Sequence, residues 1–227
     1  MPLFDERKID AVLFDLDGTL VDTAPDMVAV LQEMQQAHDL KPVPYEVGRA
    51  NVSNGAIGLL SVGFPDAHAE YHSPLHLEYL ERYEQRLCVD SVVFPGLEPL
   101  LDELDAADVC WGIVTNKPER LTQPLLQALN LESRSAGNVS GDTLTERKPH
   151  PAPMLHACRL INVAPKNAVY VGDAARDIEA GQAAGMATIA AAYGYITSDD
   201  DPSRWGADKI ATDTEDLAKL LLKAVTL

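Results

Sequence analysis

The chain contains no run of about eighteen consecutive apolar residues, the length a membrane-spanning helix needs. Its opening stretch, Met1 to Lys8, carries no secretory leader core. The expectation is a cytoplasmic protein with no membrane partner. Cysteine is scarce: Cys88, Cys110 and Cys158 are odd in number, far apart and without a C-x-x-C pair. That pattern argues against a disulfide framework or a thiolate zinc site and predicts reduced thiols. Positive charge is also short. Eighteen basic side chains face 35 acidic ones, a net charge of −17, which argues against nucleic acid or an anionic membrane as the main partner. Internal repeats and low-complexity tracts are missing as well. What remains is a chain of 227 residues, 46% apolar, enough for one large domain or for a core with a smaller insert.

The most informative stretch begins at Ala11. The apolar run Ala11-Val12-Leu13-Phe14 reads as a buried parallel strand, and Asp15-Leu16-Asp17-Gly18-Thr19-Leu20-Val21-Asp22 follows it. Two carboxylates therefore stand at the carboxyl end of a core strand, where open α/β sheets bind their ligands. Gly18 and Thr19 let the backbone turn sharply and present N–H groups to an anion. A site that holds negative charge against negative charge requires a cation.

This segment resembles the first motif of the haloacid dehalogenase superfamily, in its phosphatase branch. Three further stretches match the family's pattern in order. Val109-Cys110-Trp111-Gly112-Ile113-Val114-Thr115-Asn116 resembles the second motif, an apolar strand ending in Thr. Lys148-Pro149-His150-Pro151 resembles the third, and Ala168 to Asp177, ending in Gly172-Asp173-Ala174-Ala175-Arg176-Asp177, fits the G-D-x-x-x-D of the fourth. The resemblance implies an α/β fold, a doubly wound parallel sheet with an inserted α-helical cap. The expected boundaries are residues 1–22 and 93–227 for the core and 23–92 for the cap. It also implies Asp15 as nucleophile and Asp17 as general acid and base. Mg²⁺ is then expected on the Asp15 carboxylate, the Asp17 carbonyl and Asp173, with Asp177 orienting a metal-bound water or the lysine. Thr115, the Asn116 backbone and Lys148 are expected to hold phosphoryl oxygens. Splitting a very slow hydrolysis through an aspartyl-phosphate gives two easier steps, and Lys148 would neutralise charge in the transition state.

The rest of the chain is consistent with that architecture. Pro25, with Thr23 or Asp22 as cap, opens a helix carrying Met27, Val30, Leu31 and Met34. From about Ala24 to Ser91 the pattern stays helical, and strand-like sequence resumes only at Val109, after a helical stretch with Leu97, Leu100, Leu101 and Leu104. Such a span is far longer than an ordinary βα connection, so it reads as an insert. Beyond it, helix is expected around Leu125, Leu126 and Leu129 with Pro124 in its first turn, over Ala152 to Ile161, over Asp177 to Ala184, and finally across Leu217, Leu220, Leu221 and Ala224 with Asp213 or Thr214 as cap. Strands are expected around Ala136 to Ser140, over Ala168 to Val171, over Ala187 to Ala192 and at Lys209 to Ala211.

Specificity should reside in the insert, since the four motifs address only the phosphoryl group. Gly48 to Gly55 is the candidate substrate loop. It offers Arg49, Asn51, Ser53, Asn54 and Gly55, or equally a capped helix start with a solvated arginine. Asn54-Gly55 resembles the cap loop of phosphoglycolate phosphatases. The tail, with Tyr193-Gly194-Tyr195-Ile196 and Trp205-Gly206-Ala207-Asp208, resembles bacterial members that dephosphorylate N-acetylmuramic acid 6-phosphate, and Trp205 packing on the sheet edge accounts for it equally. His68, His72 and His76 are spaced for one helical face, but Ser73-Pro74 starts a new helix between them, which speaks against a metal site. Asp199-Asp200-Asp201 reads as a solvated loop. The expected partner is a small phosphorylated metabolite, the expected cofactor Mg²⁺, and the assembly a monomer or homodimer. A phosphomutase of the same superfamily and a non-catalytic phospho-acceptor or phosphate-binding module are the alternatives.

Overall fold

The computed structural model describes residues 8–67 and 70–225. In chain order its strands are β1 (Ala11–Phe14), β2 (Val21–Asp22), β3 (Val92–Val93), β4 (Cys110–Val114), β5 (Asn138–Val139), β6 (Ala168–Gly172), β7 (Ala187–Ala191) and β8 (Lys209–Ala211). Six of them form one sheet in the order β5-β4-β1-β6-β7-β8, with every neighbouring pair parallel. The chain starts in the middle, winds out to β5, crosses back to β6 and winds out the other way. The two directions part at β1, so the carboxyl ends of β1, β4 and β6 frame the crevice where such sheets bind ligands.

Alternate residues of each strand serve opposite layers. Val12, Phe14, Ile113, Val171 and Ile189 join one buried cluster, and Ala11, Leu13, Val114 and Tyr170 join another. Both faces are covered, which is why the strands read as unbroken apolar runs rather than alternating ones. The helices that cover them are α5 (Leu97–Ala106), α6 (Glu119–Ala128), α7 (Ala152–Leu160), α8 (Ala175–Ala183) and α9 (Thr214–Val225). Met154 and Ala157 of α7 and Ala180 of α8 pack on the Leu13 side, whereas Leu101 of α5, Leu125 of α6 and Leu217 of α9 pack on the Phe14 side.

Four helices precede these in the chain, α1 (Ala24–Ala37), α2 (Tyr45–Ala50), α3 (Gly55–Gly63) and α4 (Pro74–Gln85), all between β2 and β3. α1 packs against the other three, and its Met27, Leu31 and Met34 lie in the same buried cluster as Leu59, Leu60, Tyr79 and Tyr83. β2 and β3 pair antiparallel as a separate ribbon at the two ends of this insert.

Several expectations needed correction in detail. β3, and the β2–β3 ribbon as a whole, were not foreseen, because two residues carry no readable periodicity. Pro124 does not open its helix; α6 starts five residues earlier, where the Glu119 N–H is capped by Asp142 Oδ1 at 2.7 Å. Thr23 stands at the N-cap of α1, but its hydroxyl donates to Asp17 instead, and the first helical N–H, of Ala24, is taken by the Tyr195 hydroxyl at 2.9 Å. α8 begins at Ala175, two residues before Asp177. Ser73 caps α4 as expected, accepting from the His76 N–H. Of the three histidines, His68 lies outside the described residues, and no histidine belongs to a cluster able to hold a metal among the described residues. Asp199, Asp200 and Asp201 are exposed, and the half-buried Trp205 donates to Asp200. All three cysteines are free thiols. No helix among the described residues is long and apolar enough to cross a membrane.

Candidate active site

The four motifs converge at the carboxyl ends of β1, β4 and β6. Asp15 is the first residue beyond β1, still in the ladder through its N–H to the Val171 carbonyl at 2.8 Å. Its Oδ1 accepts from the Leu16 N–H at 2.7 Å and lies 2.8 Å from Lys148 Nζ. Lys148 Nζ is also 2.7 Å from Asp177 Oδ1 and donates to the Tyr170 hydroxyl at 2.8 Å, which in turn donates to the Val114 carbonyl. All three ammonium protons are therefore engaged, as a lysine only 4% exposed requires.

Asp177 has a double role. Its Oδ2 accepts from the Ala174 N–H and so caps α8, while Oδ1 faces the lysine. One side chain thus caps a helix and faces the buried lysine at the same time. Asp173 completes the group. Its Oδ2 accepts from Ser53 Oγ at 2.6 Å and from the Tyr195 N–H at 2.9 Å. Gly18 makes the approach possible: its φ is +84°, and a Cβ there would lie 2.1 Å from Asp173 Oδ2.

Asp15, Asp173 and Asp177 each offer a carboxylate oxygen within 4.8 Å of the others, and all three are buried. Burial pushes the Asp15 carboxyl up to about 6, with Lys148 opposing and Asp177 adding to the rise. Burial, then Asp15 and Asp177, push Asp173 up to about 7. Burial works against the charged form of Lys148, but the two carboxylates outweigh it and hold the lysine above its ordinary value. Asp177 Oδ1 accepts no hydrogen bond apart from its ion pair with Lys148. Three buried carboxylates crowded within reach of one another are a donor set that fits a hard divalent cation.

Asp17 is placed differently. Its Oδ1 accepts from Thr23 Oγ1 at 2.6 Å and from Lys117 Nζ at 2.9 Å. Lys117 reaches into the insert as well, donating to the Tyr83 hydroxyl at 2.9 Å and lying 4.6 Å from that ring's centroid. Thr115 is buried, and its Oγ1 accepts from the Lys117 N–H. The Asn116 side chain clamps the Lys148 backbone, donating to its carbonyl at 3.0 Å and accepting from its N–H at 3.1 Å. Asp15, Asp17, Thr115, Asn116 and Lys148 all line one cleft of about 880 Å³ between the sheet end and the insert.

The candidate substrate loop divides. Ser53, Asn54 and Gly55 line the cleft. Arg49 instead lies over the Tyr195 ring, 4.8 Å from its centroid, with a long contact of 3.4 Å to the Gly194 carbonyl. Asn51 turns back to the Val47 carbonyl of its own helix. At Gly48, the start of the loop, it is α1 that comes close: a Cβ there would lie 2.8 Å from Val28 Cγ1.

Sequence reasoning overlooked Lys117 and Arg176, and it placed Tyr195 only in the tail. Lys117 directly follows Thr115-Asn116, and Arg176 is one of the unspecified positions inside G-D-x-x-x-D. Arg176 donates to the Ser53 carbonyl, and it faces Asp177, Asp15 and Asp173 closely enough that they raise its pKa despite its burial. Both residues were adjacent to motifs and legible as charge. The role of Tyr195, whose backbone braces Asp173, had no local signal.

A family model for haloacid dehalogenase-like hydrolases matches residues 12–191. An N-acetylmuramic acid 6-phosphate phosphatase from Pseudomonas putida is 40% identical over 219 residues, covering 96% of this chain and 98% of its own. A phosphoglycolate phosphatase from Xanthomonas campestris pv. campestris is 48% identical over 198 residues, covering 87% and 90%. A crystal structure from Haemophilus somnus, described as a predicted phosphoglycolate phosphatase, superposes with a TM-score of 0.80 at 27% identity, covering 94% of this chain and 98% of that one. With the motifs, the parallel sheet and the buried carboxylates at its switch point in agreement, the chain belongs to the haloacid dehalogenase-like hydrolase family, in its phosphatase branch.

Proposed function

We propose that this phosphatase hydrolyses a small phosphate monoester through an aspartyl-phosphate on Asp15, with Mg²⁺ as cofactor and the helical insert, residues 23–92, as a cap that recognises the leaving group. The observation that carries the reading is Asp15 itself: a buried carboxylate at a strand end, held by Lys148 at 2.8 Å and opening into the same cleft as Asp17. Asp15 attacks phosphorus, the ester P–O bond breaks, and Asp17 gives its proton to the departing oxygen. Asp17 then takes a proton from water as that water attacks the phosphorus, which releases inorganic phosphate and restores the Asp15 carboxylate. Lys148 and Thr115 hold phosphoryl oxygens throughout, and Asn116 keeps Lys148 in place. Mg²⁺ bound by Asp15, Asp173 and the Asp17 carbonyl would supply the positive charge that lets a carboxylate approach a dianion.

Phosphoglycolate and a sugar phosphate such as N-acetylmuramic acid 6-phosphate are the two substrates the relatives suggest. The cleft, about 880 Å³, stands near the upper end of ordinary ligand pockets and favours the larger ester. The test is steady phosphate release, without a bisphosphate activator, from a panel of phosphoglycolate, N-acetylmuramic acid 6-phosphate and hexose phosphates, compared by kcat/KM. Hydroxylamine trapping of an acyl phosphate in wild type, and its loss in Asp15→Asn, is expected. Turnover that depends on a bisphosphate would point to a mutase instead.

A further inference from the structure

We propose that the part of the cleft bounded by Arg147, Arg120 and His76 is a receptor for a second anionic group, a carboxylate or a second phosphate, carried by the leaving group. The inference rests on the phosphatase reading above and narrows its substrate class.

The cleft has a charge that the phosphoryl chemistry does not use. Lys117, Arg120, Arg147, Lys148 and Arg176 line it against Asp15, Asp17 and Asp142, although the chain as a whole carries −17. Three of the five cations are committed. Lys148 holds Asp15 and Asp177, Lys117 holds Asp17, and Arg176 holds the Ser53 carbonyl beside the carboxylate cluster. Arg147 is not: among the described residues it has no carboxylate partner, and its guanidinium lies 6.0 Å from the Tyr71 ring centroid. Arg120 shares its charge with Glu84 at 3.1 Å, a pair about half exposed on both sides and therefore weak. Asp142 is occupied by the Glu119 N–H.

Neutral donors complete the surface. His76 is 6% exposed, yet its ring lines the cleft. Its Nδ1 accepts from the His72 N–H at 3.1 Å, which places the ring proton on Nε2. Burial, with His72 and Arg120 beside it, lowers its pKa and so favours the neutral ring. Tyr71, 64% exposed, presents an open aromatic face next to Arg147, a suitable floor for a sugar ring. A neutral leaving group would leave Arg147 without an ionic partner. An anionic one would gain a fork of donors suited to planar or tetrahedral oxyanions.

The experiment compares matched esters that differ in this one charge. N-acetylmuramic acid 6-phosphate is set against N-acetylglucosamine 6-phosphate, which lacks the carboxylate-bearing ether, and glucose 1,6-bisphosphate against glucose 6-phosphate. The expected result is a higher kcat/KM for the charged member of at least one pair; which pair responds tells carboxylate from phosphate. Arg147→Ala should lower that preference about ten- to hundredfold, the loss of a charge-assisted contact, and Arg120→Gln should lower it less. Both side chains are exposed enough for the variants to fold. Calorimetric binding of the same four esters to Mg²⁺-supplied Asp15→Asn protein reads the preference without turnover. Equal kcat/KM and equal binding within both pairs, or a preference untouched by Arg147→Ala, overturns the subsite. Failure to release phosphate from any ester, p-nitrophenyl phosphate included, overturns the phosphatase reading, and the binding comparison still decides the subsite.

Discussion

The core and the helical insert bury different kinds of polar group. At the sheet end, Asp15, Lys148, Asp173 and Asp177 are charged or chargeable and lie within direct reach of one another, almost without solvent. In the insert, the buried polar side chains are mainly neutral, and two of the largest are matched to backbone: Tyr79 donates to the Met27 carbonyl, and Gln35 bonds both the Gly63 carbonyl and the Val43 N–H. Asp26 is the insert's buried carboxylate, and it is spent on structure, gathering the Asp90 and Ser91 N–H groups and the Ser91 hydroxyl to fasten the returning chain. Buried ion clusters are poor sources of stability because desolvation consumes what attraction returns. The core keeps such a cluster at its sheet end, whereas in the insert Asp26, 3.5 Å from Arg86, uses its charge to fasten the chain. The two regions meet where Ser53 donates to Asp173 and Tyr83 accepts from Lys117, so the insert touches the charged cluster through neutral hydroxyls.

That contrast makes graded predictions. The largest effect is expected from Asp15→Asn, which should cut phosphate release by a factor on the order of 10⁴ or more on every ester while circular dichroism shows an unchanged fold. Retained turnover in the folded variant would remove Asp15 from the role of nucleophile. Asp17→Asn should come next, lowering kcat by about 10²–10⁴ for alkyl esters and by less for p-nitrophenyl phosphate, whose leaving group needs little protonation. A uniform loss across both esters would assign Asp17 to positioning rather than proton transfer.

The third prediction concerns the pH dependence of stability. Folded Asp15 and Asp173 titrate near 6 and 7, above the range of an unfolded aspartate, so the folded protein holds more protons than the unfolded chain between about pH 4 and 7. Metal-free stability should therefore fall as pH rises through that window and level off above it. Mg²⁺ requires the deprotonated carboxylates, so the melting temperature should rise more on adding Mg²⁺ at pH 8 than at pH 5.5. An equal or larger rise at pH 5.5, measured by scanning calorimetry, would count against cation binding by this cluster. The smallest effect is expected in the insert, from Arg49→Ala. It removes a ring contact worth about 0.5–1 kcal/mol at Tyr195 and should lower the melting temperature slightly, with little change in KM. A tenfold rise in KM for the native ester would return Arg49 to the substrate loop.

Much of the site was legible because its residues sit in short stretches with unusual local demands. Asp15 and Asp17 follow an apolar run, Thr115 ends another, and Asp173 and Asp177 straddle a helix start, so strand ends and charge coincide within a few residues. The insert was legible as length and helical period, but not as contact. Arg49 and Ser53 are four residues apart and both polar, yet the chain between α2 and α3 points one to Tyr195 and the other to Asp173. The misplacement of Pro124 has a related cause: a proline is read as a first-turn residue, whereas the capping of Glu119 by Asp142 comes from a loop twenty-three residues away.

Local pattern alone determined the strand–helix alternation, the helical stretch between the first two core strands and the four motifs, since apolar periodicity and short motifs are properties of neighbouring residues. The tertiary fold decided everything that depends on distance between remote segments. It brought Lys148 between Asp15 and Asp177, tied Lys117 to both Asp17 and Tyr83, braced Asp173 with Ser53 and the Tyr195 backbone, and left Arg147 beside Tyr71 without a carboxylate partner among the described residues. The physical reason is that ion pairing and desolvation act through space. A charge in the sequence becomes nucleophile, brace or anion receptor only when packing fixes which opposite charge, and how little water, stands next to it.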